Sequence, residues 1–151
     1  MSATVKQMNW FLRINVPVAY LCGLRLIALT KSNAAITVKL NWLNKNPFKS
    51  IYFAVQSMAA ELSTGVMVLD KINESGKKVS MLVTNYSGRF TKKAVGRIIF
   101  VCKDGLLIER ALKNTLETGE AQTIEMNSVG TDEAGDQVSA YTFQWSIRLK
   151  K

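Results

Sequence analysis

The order of apolar and polar positions predicts one helix at the start of the chain and two strands after it. A short amphipathic helix over residues 4–16, ended by Pro17, is predicted by apolar residues that recur at spacings of three and four: Trp10, Phe11, Ile14 and Val18. The apolar run 24–30 predicts a strand, and alternation over residues 34–42 predicts a second, half-buried strand. The polar residues between them, 31–33, predict a hairpin turn.

The middle of the chain predicts one long helix. Residues 44–50 form a polar loop that contains Pro47. After this loop, one apolar stripe continues over roughly four turns, and its members are Val55, Met58 or Ala59, Leu62, Val66 and Leu69. A helix with such a stripe buries one side against other elements of the fold.

The second half of the chain predicts strands and one more helix. Residues 79–86 and 95–102 have the pattern of strands, and Asp104 is expected to cap a helix over 106–116, with Gly119 just past its end. A further strand is predicted over 124–129. The final strand has one face of large apolar residues, which is typical of core rather than of an exposed platform for stacking nucleic-acid bases: Tyr141, Phe143, Trp145, Ile147 and Leu149.

These elements predict a single α+β domain over residues 1–151. An antiparallel six-stranded sheet wrapped around the long central helix, with an extra N-terminal helix, lets every strand bury one face against that helix or a partner subunit. The chain has 151 residues, 48% of them hydrophobic and 21% charged, which is the size and composition of one folded domain.

Composition excludes several kinds of chemistry. The chain contains no His, so triads based on His, zinc sites with His ligands and haem ligation by His are absent. Cys22 and Cys102 lie too far apart for a metal-ligand pattern and are expected to be buried thiols in a reducing compartment. Charged residues and Pro17 interrupt the apolar stretch 10–29, so no membrane insertion is expected and the protein is expected in the cytoplasm. Neither a metal nor a cofactor is expected.

Positive charge is unevenly distributed. The net charge is +9, and residues 1–60 contain seven basic residues and no carboxylate. Such a field favours an anionic partner: a phosphate-bearing ligand, an acidic carrier protein, nucleic acid or a membrane surface. A plain solvated basic face is the alternative. The same two interpretations, phosphate binding or a solvated turn, apply to a cluster between two predicted strands: Arg89, Lys92, Lys93 and Arg97.

Glu61 is the one carboxylate in the first 69 residues, and it lies in the long central helix. Small residues flank it on the helix surface and leave room for a ligand or another chain: Ala54, Ser57, Thr64 and Gly65. Glu61 is therefore either a functional carboxylate or a solvated or ion-paired structural one. The start of the same helix, near Tyr52, offers unpaired N–H groups that suit a polarised carbonyl, although Ser50 could instead cap them.

These residues resemble a family signature. Asn46, the helix start near Tyr52, and Glu61 are similar to the site of the hotdog-fold thioesterases, in which an Asn precedes a His-Gly-Gly and a carboxylate follows on the helix. The segments 46–52 and 59–65 resemble more closely an uncharacterised, thioesterase-like branch of that superfamily. The order of elements resembles the family over nearly the whole chain.

The resemblance implies a hotdog fold, a homodimer that could pair into a tetramer, and an acyl-CoA or acyl-carrier thioester as substrate. It implies that the backbone N–H of Phe53 polarises the thioester carbonyl and that Glu61, contributed across the dimer interface, activates water or attacks directly. Asn46 would hold the loop or the water, and Tyr52 occupies the position of the family's His. Coenzyme A would enter only as part of the substrate, with its phosphates at the basic cluster.

Two other functions stay open. The replacement of His-Gly-Gly by Tyr52, Phe53 and Ala54 allows a hotdog domain that binds an acyl thioester or lipid-like ligand without hydrolysing it. Nucleic-acid binding is disfavoured, because the basic field has no recognisable recognition helix or aromatic surface motif. We therefore expect no nucleic-acid partner.

Overall fold

The structure is a computed structural model that describes residues 2–150. The helices are α1 (Val5–Asn15), α2 (Pro17–Leu21), α3 (Phe53–Ser75) and α4 (Gly105–Thr118), and the strands are β1 (Arg25–Leu29), β2 (Ala34–Lys39), β3 (Val79–Phe90), β4 (Arg97–Cys102), β5 (Gln122–Thr131) and β6 (Gln137–Leu149). Within residues 2–150, no helix combines the length and the apolar character needed to cross a membrane.

The six strands form one sheet in the order β1-β2-β4-β5-β6-β3, and every neighbouring pair is antiparallel. The helix α3 packs against one face of this sheet. The predicted α+β architecture, with a six-stranded antiparallel sheet, a long central helix and an extra N-terminal helix, is confirmed. Strand β3 continues to Phe90, four residues beyond the predicted end, and it forms one edge of the sheet.

The predicted apolar stripe of α3 is largely buried, with Val55, Ala59, Leu62 and Val66 in the core. Hydrogen bonds between buried polar side chains also hold the helix on the sheet, and each joins one helix residue to one strand residue: Gln56–Ser139 at 2.9 Å, Ser63–Ser128 at 2.7 Å and Thr64–Trp145 at 2.9 Å. These bonds fix how the helix is rotated and how far it has slid along the sheet, because a shift would leave buried polar groups unpaired.

The apolar face of β6 is core, as predicted, with Tyr141, Phe143, Trp145 and Ile147 buried. This face of β6 is therefore not an exposed platform for stacking bases. Both cysteines are free thiols. Cys102 is buried, and burial raises the pKa of its thiol to about 12, so it is an inert core residue.

The N-terminal region differs from the prediction in two ways. Helix α1 forms, but its buried residues are Met8 and Leu12, and all four residues of the predicted apolar stripe are exposed: Trp10, Phe11, Ile14 and Val18. The reason is Asn9, whose side chain donates to the carbonyl of Leu26 at 2.8 Å and accepts from the N–H of Leu26 at 2.9 Å. These bonds turn the Met8 side of α1 toward the edge strand β1. The second difference is that Pro17 begins another helix, α2, as its first residue.

Helix α4 begins one residue earlier and ends two residues later than predicted, and Gly119 lies just past its end, as predicted, in the left-handed conformation. Asp104 occupies the N-cap position, but its side chain makes no capping bond to the helix and instead accepts from the N–H of Asn127 at 2.7 Å. Gly105 lies against the hairpin turn, where a Cβ atom would come within 2.2 Å of the carbonyl oxygen of Lys31. Glycine is required there because the contact is with backbone.

Candidate active site

The loop before α3 is held by the side chain of Asn46. Its Oδ1 accepts from the N–H of Phe48 at 2.9 Å and of Ser50 at 3.2 Å, and its Nδ2 donates to Oγ of Ser50 at 3.0 Å. The end of the loop is tied to the segment before β4, because Ile51 donates to the carbonyl of Ala94 at 2.8 Å. Of the two roles that the resemblance implied for Asn46, this geometry supports holding the loop.

The loop delivers Tyr52 to the N-cap position of α3, and no side chain caps the helix. The alternative in which Ser50 caps α3 is therefore wrong, because the Ser50 hydroxyl is bonded to Asn46. The first helical bonds run from Val55 and Gln56 to the carbonyl of Tyr52. Within residues 2–150 the N–H groups of the first two helical residues, 53 and 54, consequently have no hydrogen-bond partner. Two free donors at the positive end of a 23-residue helix suit a polarised carbonyl oxygen.

Glu61 lies two turns along α3 and is half-buried. Its carboxylate rests over Gly65, since a Cβ atom on Gly65 would be 3.1 Å from Oε1 of Glu61 and 3.1 Å from the ring of Trp145. No hydrogen bond or ion pair of residues 2–150 involves the Glu61 side chain. Burial raises the pKa of Glu61 from 4.5 to about 7. The alternative of an ion-paired structural Glu has no support in this geometry.

The free N–H of Phe53 and the carboxylate of Glu61 lie on the same helix, eight residues apart. At a rise of about 1.5 Å per residue, the backbone positions of Phe53 and Glu61 are about 12 Å apart along the helix axis. One thioester carbonyl spans far less than this distance. The carboxylate lies over Gly65 and not toward the helix start, so the side chain of Glu61 does not close this gap within one protomer.

Aromatic side chains form a wall beside the start of α3. Phe53 packs edge-on against Phe90 at 6.3 Å between ring centroids, and Phe90 packs edge-on against Tyr141 at 5.7 Å. Tyr86 stacks on Phe143 at 5.6 Å. Gly88 lies between Tyr86 and Phe90 on β3, where a Cβ atom would come within 2.8 Å of the Tyr141 ring.

This aromatic wall was not predicted from the sequence as part of the site. Tyr86, Gly88 and Phe90 occupy alternate positions, which is the signal that would have extended the predicted strand to residue 90. About half of the side-chain surface of Tyr86, Phe90 and Phe53 is exposed, at 53%, 49% and 51%. A long edge strand with exposed aromatic residues normally pairs with another chain or is covered.

The four basic residues predicted to form one cluster are separated. Lys92 and Lys93 line a shallow cavity of about 370 Å³ together with Asn46, Phe53 and Phe90. Arg89 lines a different depression on the other side of β3, and Arg97 donates to the hydroxyl of Thr37 at 3.2 Å.

The charge of Lys92 is largely compensated, because its ammonium contacts Asp132 at 2.6 Å and Asp136 at 2.7 Å. Lys93 makes no ion pair within residues 2–150, and its ammonium lies 5.9 Å from the centre of the Phe48 ring. No cluster of three or more potential metal ligands occurs within residues 2–150.

Family comparison agrees with this architecture. Residues 4–147 match the model of a domain of unknown function, DUF4442. The chain belongs to the DUF4442 family. Among curated proteins, none matches this DUF4442 chain in sequence.

Solved structures similar to this DUF4442 domain include several proteins described as thioesterases. A protein of unknown function from Pseudomonas aeruginosa, described as a probable thioesterase, superposes with a TM-score of 0.87 at 20% identity, over 99% of each chain. A putative thioesterase from Shewanella oneidensis gives a TM-score of 0.80 at 9% identity, over 97% of each chain. A thioesterase from Haemophilus influenzae gives 0.74 at 13% identity, over 99% of this chain and 93% of the other. The fold of this DUF4442 domain is therefore the hotdog fold that the resemblance implied.

Proposed function

We propose that this DUF4442 domain hydrolyses an acyl thioester, either acyl-CoA or an acyl group on a carrier protein. The observation that carries the proposal is Glu61, a half-buried carboxylate with no partner in residues 2–150 and a pKa near 7, on the helix whose first N–H groups are free. A pKa near the working pH is the property expected of a general base. The descriptions of similar hotdog structures as thioesterases support the same reaction class.

In the proposed reaction, the N–H of Phe53 donates a hydrogen bond to the thioester carbonyl oxygen. Glu61 takes a proton from water, and the water oxygen forms a bond to the carbonyl carbon. The negative charge then lies on the carbonyl oxygen, where one backbone donor contributes on the order of 3 kcal/mol to the transition state. The carbon–sulfur bond breaks next, and the leaving thiolate takes the proton from Glu61. Direct attack by Glu61, with an anhydride that water later hydrolyses, is the other form of this mechanism.

The proposed site is built from two protomers. The backbone positions of Phe53 and Glu61 are about 12 Å apart along α3, about the length of two helical turns, and this spacing supports a site whose two groups come from different chains. The exposed edge of β3 and its aromatic residues offer the surface for a second copy, and two α3 helices that run antiparallel would place each Glu61 beside the other chain's Phe53. A homodimer is therefore part of the proposal, and two dimers could pair into a tetramer.

Lys93 is the residue that we propose contacts a phosphate of coenzyme A. It lines the cavity beside Phe53, whereas Lys92 in the same cavity already pairs with two aspartates. Arg89 and Arg97 lie outside this cavity, so they could reach the substrate only from another part of its path or from the partner chain. Coenzyme A is substrate here, not a resident cofactor.

A non-catalytic domain that binds an acyl thioester is the second candidate. The observation that favours it is the Phe53 side chain, which stands at the helix start where the thioesterase signature has glycine, with Phe90 edge-on against it. Two aromatic rings at this position narrow the approach to the free N–H groups while offering an apolar surface to an acyl chain. This candidate predicts binding without turnover.

The test is thiol release from acyl-CoA substrates of increasing chain length, measured with a thiol-reactive dye. We expect hydrolysis that rises with pH through about 7, because only the carboxylate form of Glu61 accepts a proton. Glu61→Gln keeps the shape and removes the charge, and it should lower the rate by about two to four decades. The matched control is Glu125→Gln, which removes the same charge from an exposed position on β5.

Three results separate the candidates. Loss of turnover in Glu61→Gln with unchanged acyl-CoA affinity, and normal turnover in Glu125→Gln, supports the hydrolase. Wild-type protein that binds acyl-CoA and hydrolyses none of the series supports the binding domain. Equal turnover in wild type and Glu61→Gln contradicts the role of Glu61.

A further inference from the structure

The two N-terminal helices carry an apolar surface that the rest of the fold does not cover. Because Asn9 holds the Met8 side of α1 against β1, the opposite side of α1 and α2 faces outward. Five large apolar side chains on it are more than a third exposed: Trp10 (61%), Phe11 (38%), Ile14 (59%), Val18 (56%) and Leu21 (65%). Scattered exposed apolar residues are common, but a contiguous group of this size marks an interaction site.

A neighbouring turn extends this surface. Trp42 and Leu43 are exposed by 78% and 61%, and they lie next to Asn44 in the chain. The side chain of Asn44 donates to the carbonyl of Cys22 at 3.0 Å, which joins the turn to the end of α2 beside Leu21. We call this combined surface, formed by α1, α2 and residues 42–43, the N-terminal face.

A basic groove lies along α1 beside the apolar residues. It has a volume of about 610 Å³, and its lining includes Lys6, Arg13, Arg25, Trp10 and Tyr20. The guanidinium of Arg13 lies 5.5 Å from the Trp10 ring and 5.4 Å from the Tyr20 ring, and that of Arg25 lies 3.6 Å from the Tyr20 ring. None of these cations takes part in an ion pair of residues 2–150.

We propose that the N-terminal face docks on an anionic lipid surface, with its apolar side chains in the headgroup region and its cations on lipid phosphates. Helices that bind in a membrane interface combine Trp, Phe and Leu on one side with Lys and Arg beside them, and Trp and Tyr favour the depth where apolar and polar regions meet. Charge complementarity selects the occupant, because the groove contains Lys6, Arg13 and Arg25 and none of the three forms an ion pair within residues 2–150.

A second copy of this chain fits the surface less well. Two N-terminal faces brought together would bring Lys6, Arg13 and Arg25 close to the same cations of the other copy, and none of these three forms an ion pair within residues 2–150. An anionic lipid surface supplies the missing negative charge and covers the apolar side chains at the same time. The proposal goes beyond thioester hydrolysis and does not depend on it.

The experiment is flotation of the full chain with vesicles of phosphatidylcholine alone or mixed with phosphatidylglycerol. Tryptophan fluorescence provides a second measurement, because Trp10 and Trp42 are exposed and Trp145 is buried. We expect binding to the anionic vesicles, a blue shift of the emission, and weakening at high salt. Binding to the neutral vesicles should be at least about tenfold weaker.

Substitutions separate the two components of the face. Ile14→Glu should weaken binding to anionic vesicles by about tenfold or more, because it removes an apolar side chain from the docking surface and adds a negative charge that anionic lipid repels. Arg13→Gln should weaken it by about fivefold. The matched control is Leu106→Glu on α4, where the leucine is 58% exposed against 59% for Ile14. Circular dichroism checks that the variants fold, and Val18→Glu replaces Ile14→Glu if that variant does not.

Four outcomes overturn the proposal. The first two concern the wild type: no binding to anionic vesicles, or equal binding to anionic and neutral vesicles. The third is an equal loss of binding in Leu106→Glu and Ile14→Glu, and the fourth is a smaller oligomer in Ile14→Glu together with no vesicle binding by the wild type. The last outcome would assign the face to a second copy of the chain. Each measurement is made without a thioester, so failure of the hydrolase proposal leaves this test unaffected.

Discussion

Removing the charge of Glu61 should make the protein more stable at neutral and alkaline pH while it slows the proposed hydrolysis. Burial raises the pKa of this carboxyl from 4.5 to about 7, which means that the fold favours the protonated form. As pH rises from about 4.5 to 7, the unfolded chain releases this proton before the folded chain does. The free energy of unfolding therefore falls over that window, and the full penalty is present above pH 7.

The size of the penalty follows from the two pKa values. A difference of one pKa unit corresponds to about 1.4 kcal/mol, so the change from 4.5 to about 7 corresponds to about 3 kcal/mol. This is an upper bound, because Glu61 is only half-buried and water can screen part of the charge. Glu61→Gln removes the charged form, so its stability should exceed that of the wild type above pH 7 by up to about 3 kcal/mol. For a chain of this size, each 1 kcal/mol is about 2–4 °C in melting temperature.

The measurement is urea unfolding, followed by circular dichroism, of wild type, Glu61→Gln and Glu125→Gln between pH 4.5 and 8. All three are compared at one protomer concentration, because self-association adds to apparent stability. The stability difference between Glu61→Gln and the wild type should be smallest at the acid end and should grow with pH, whereas Glu125→Gln should run parallel to the wild type. A pH-independent difference for Glu61→Gln would refute the argument that burial holds this carboxyl at a raised pKa.

Three further predictions test other parts of the molecule. Lys93→Ala should raise KM for acyl-CoA and weaken the salt dependence of KM, with little change in kcat. Arg97→Ala should leave KM and its salt dependence unchanged. Thiol release at two ionic strengths measures these quantities. Tyr86→Glu should convert a dimer to the 16.8 kDa monomer in light scattering, because it places a charge on the exposed aromatic side of β3. The control, Leu82→Glu, changes the opposite side of the same strand and should stay dimeric. A wild-type monomer would contradict the composite site. Gly105→Ala should lower the free energy of unfolding by about 1–3 kcal/mol or more, because the added Cβ meets the Lys31 backbone, and an unchanged urea midpoint would contradict this.

The amino-acid sequence by itself determined the helices and strands in which the large apolar residues lie on a single side. Alternation in β6 places the large side chains of Tyr141, Phe143 and Trp145 on one side, and in the structure all three are buried. Two further features follow from the local sequence: the apolar stripe of α3, and the position of Glu61 as the one carboxylate before Asp70. In the structure, most of the stripe is buried.

Tertiary structure decided the features that depend on contacts between distant residues. Helix α1 has apolar residues on two sides, and its period does not say which side meets the core; the bonds between Asn9 and Leu26, 17 residues away, turn Trp10 outward. Lys92 loses its free charge to Asp132 and Asp136, 40 and 44 residues along the chain. Likewise, the raised pKa of Glu61 arises from burial of its carboxylate, which lies over Gly65 near the ring of Trp145 from the distant strand β6. Local patterns record which residues share a face, whereas burial and charge pairing depend on what the folded chain places opposite that face.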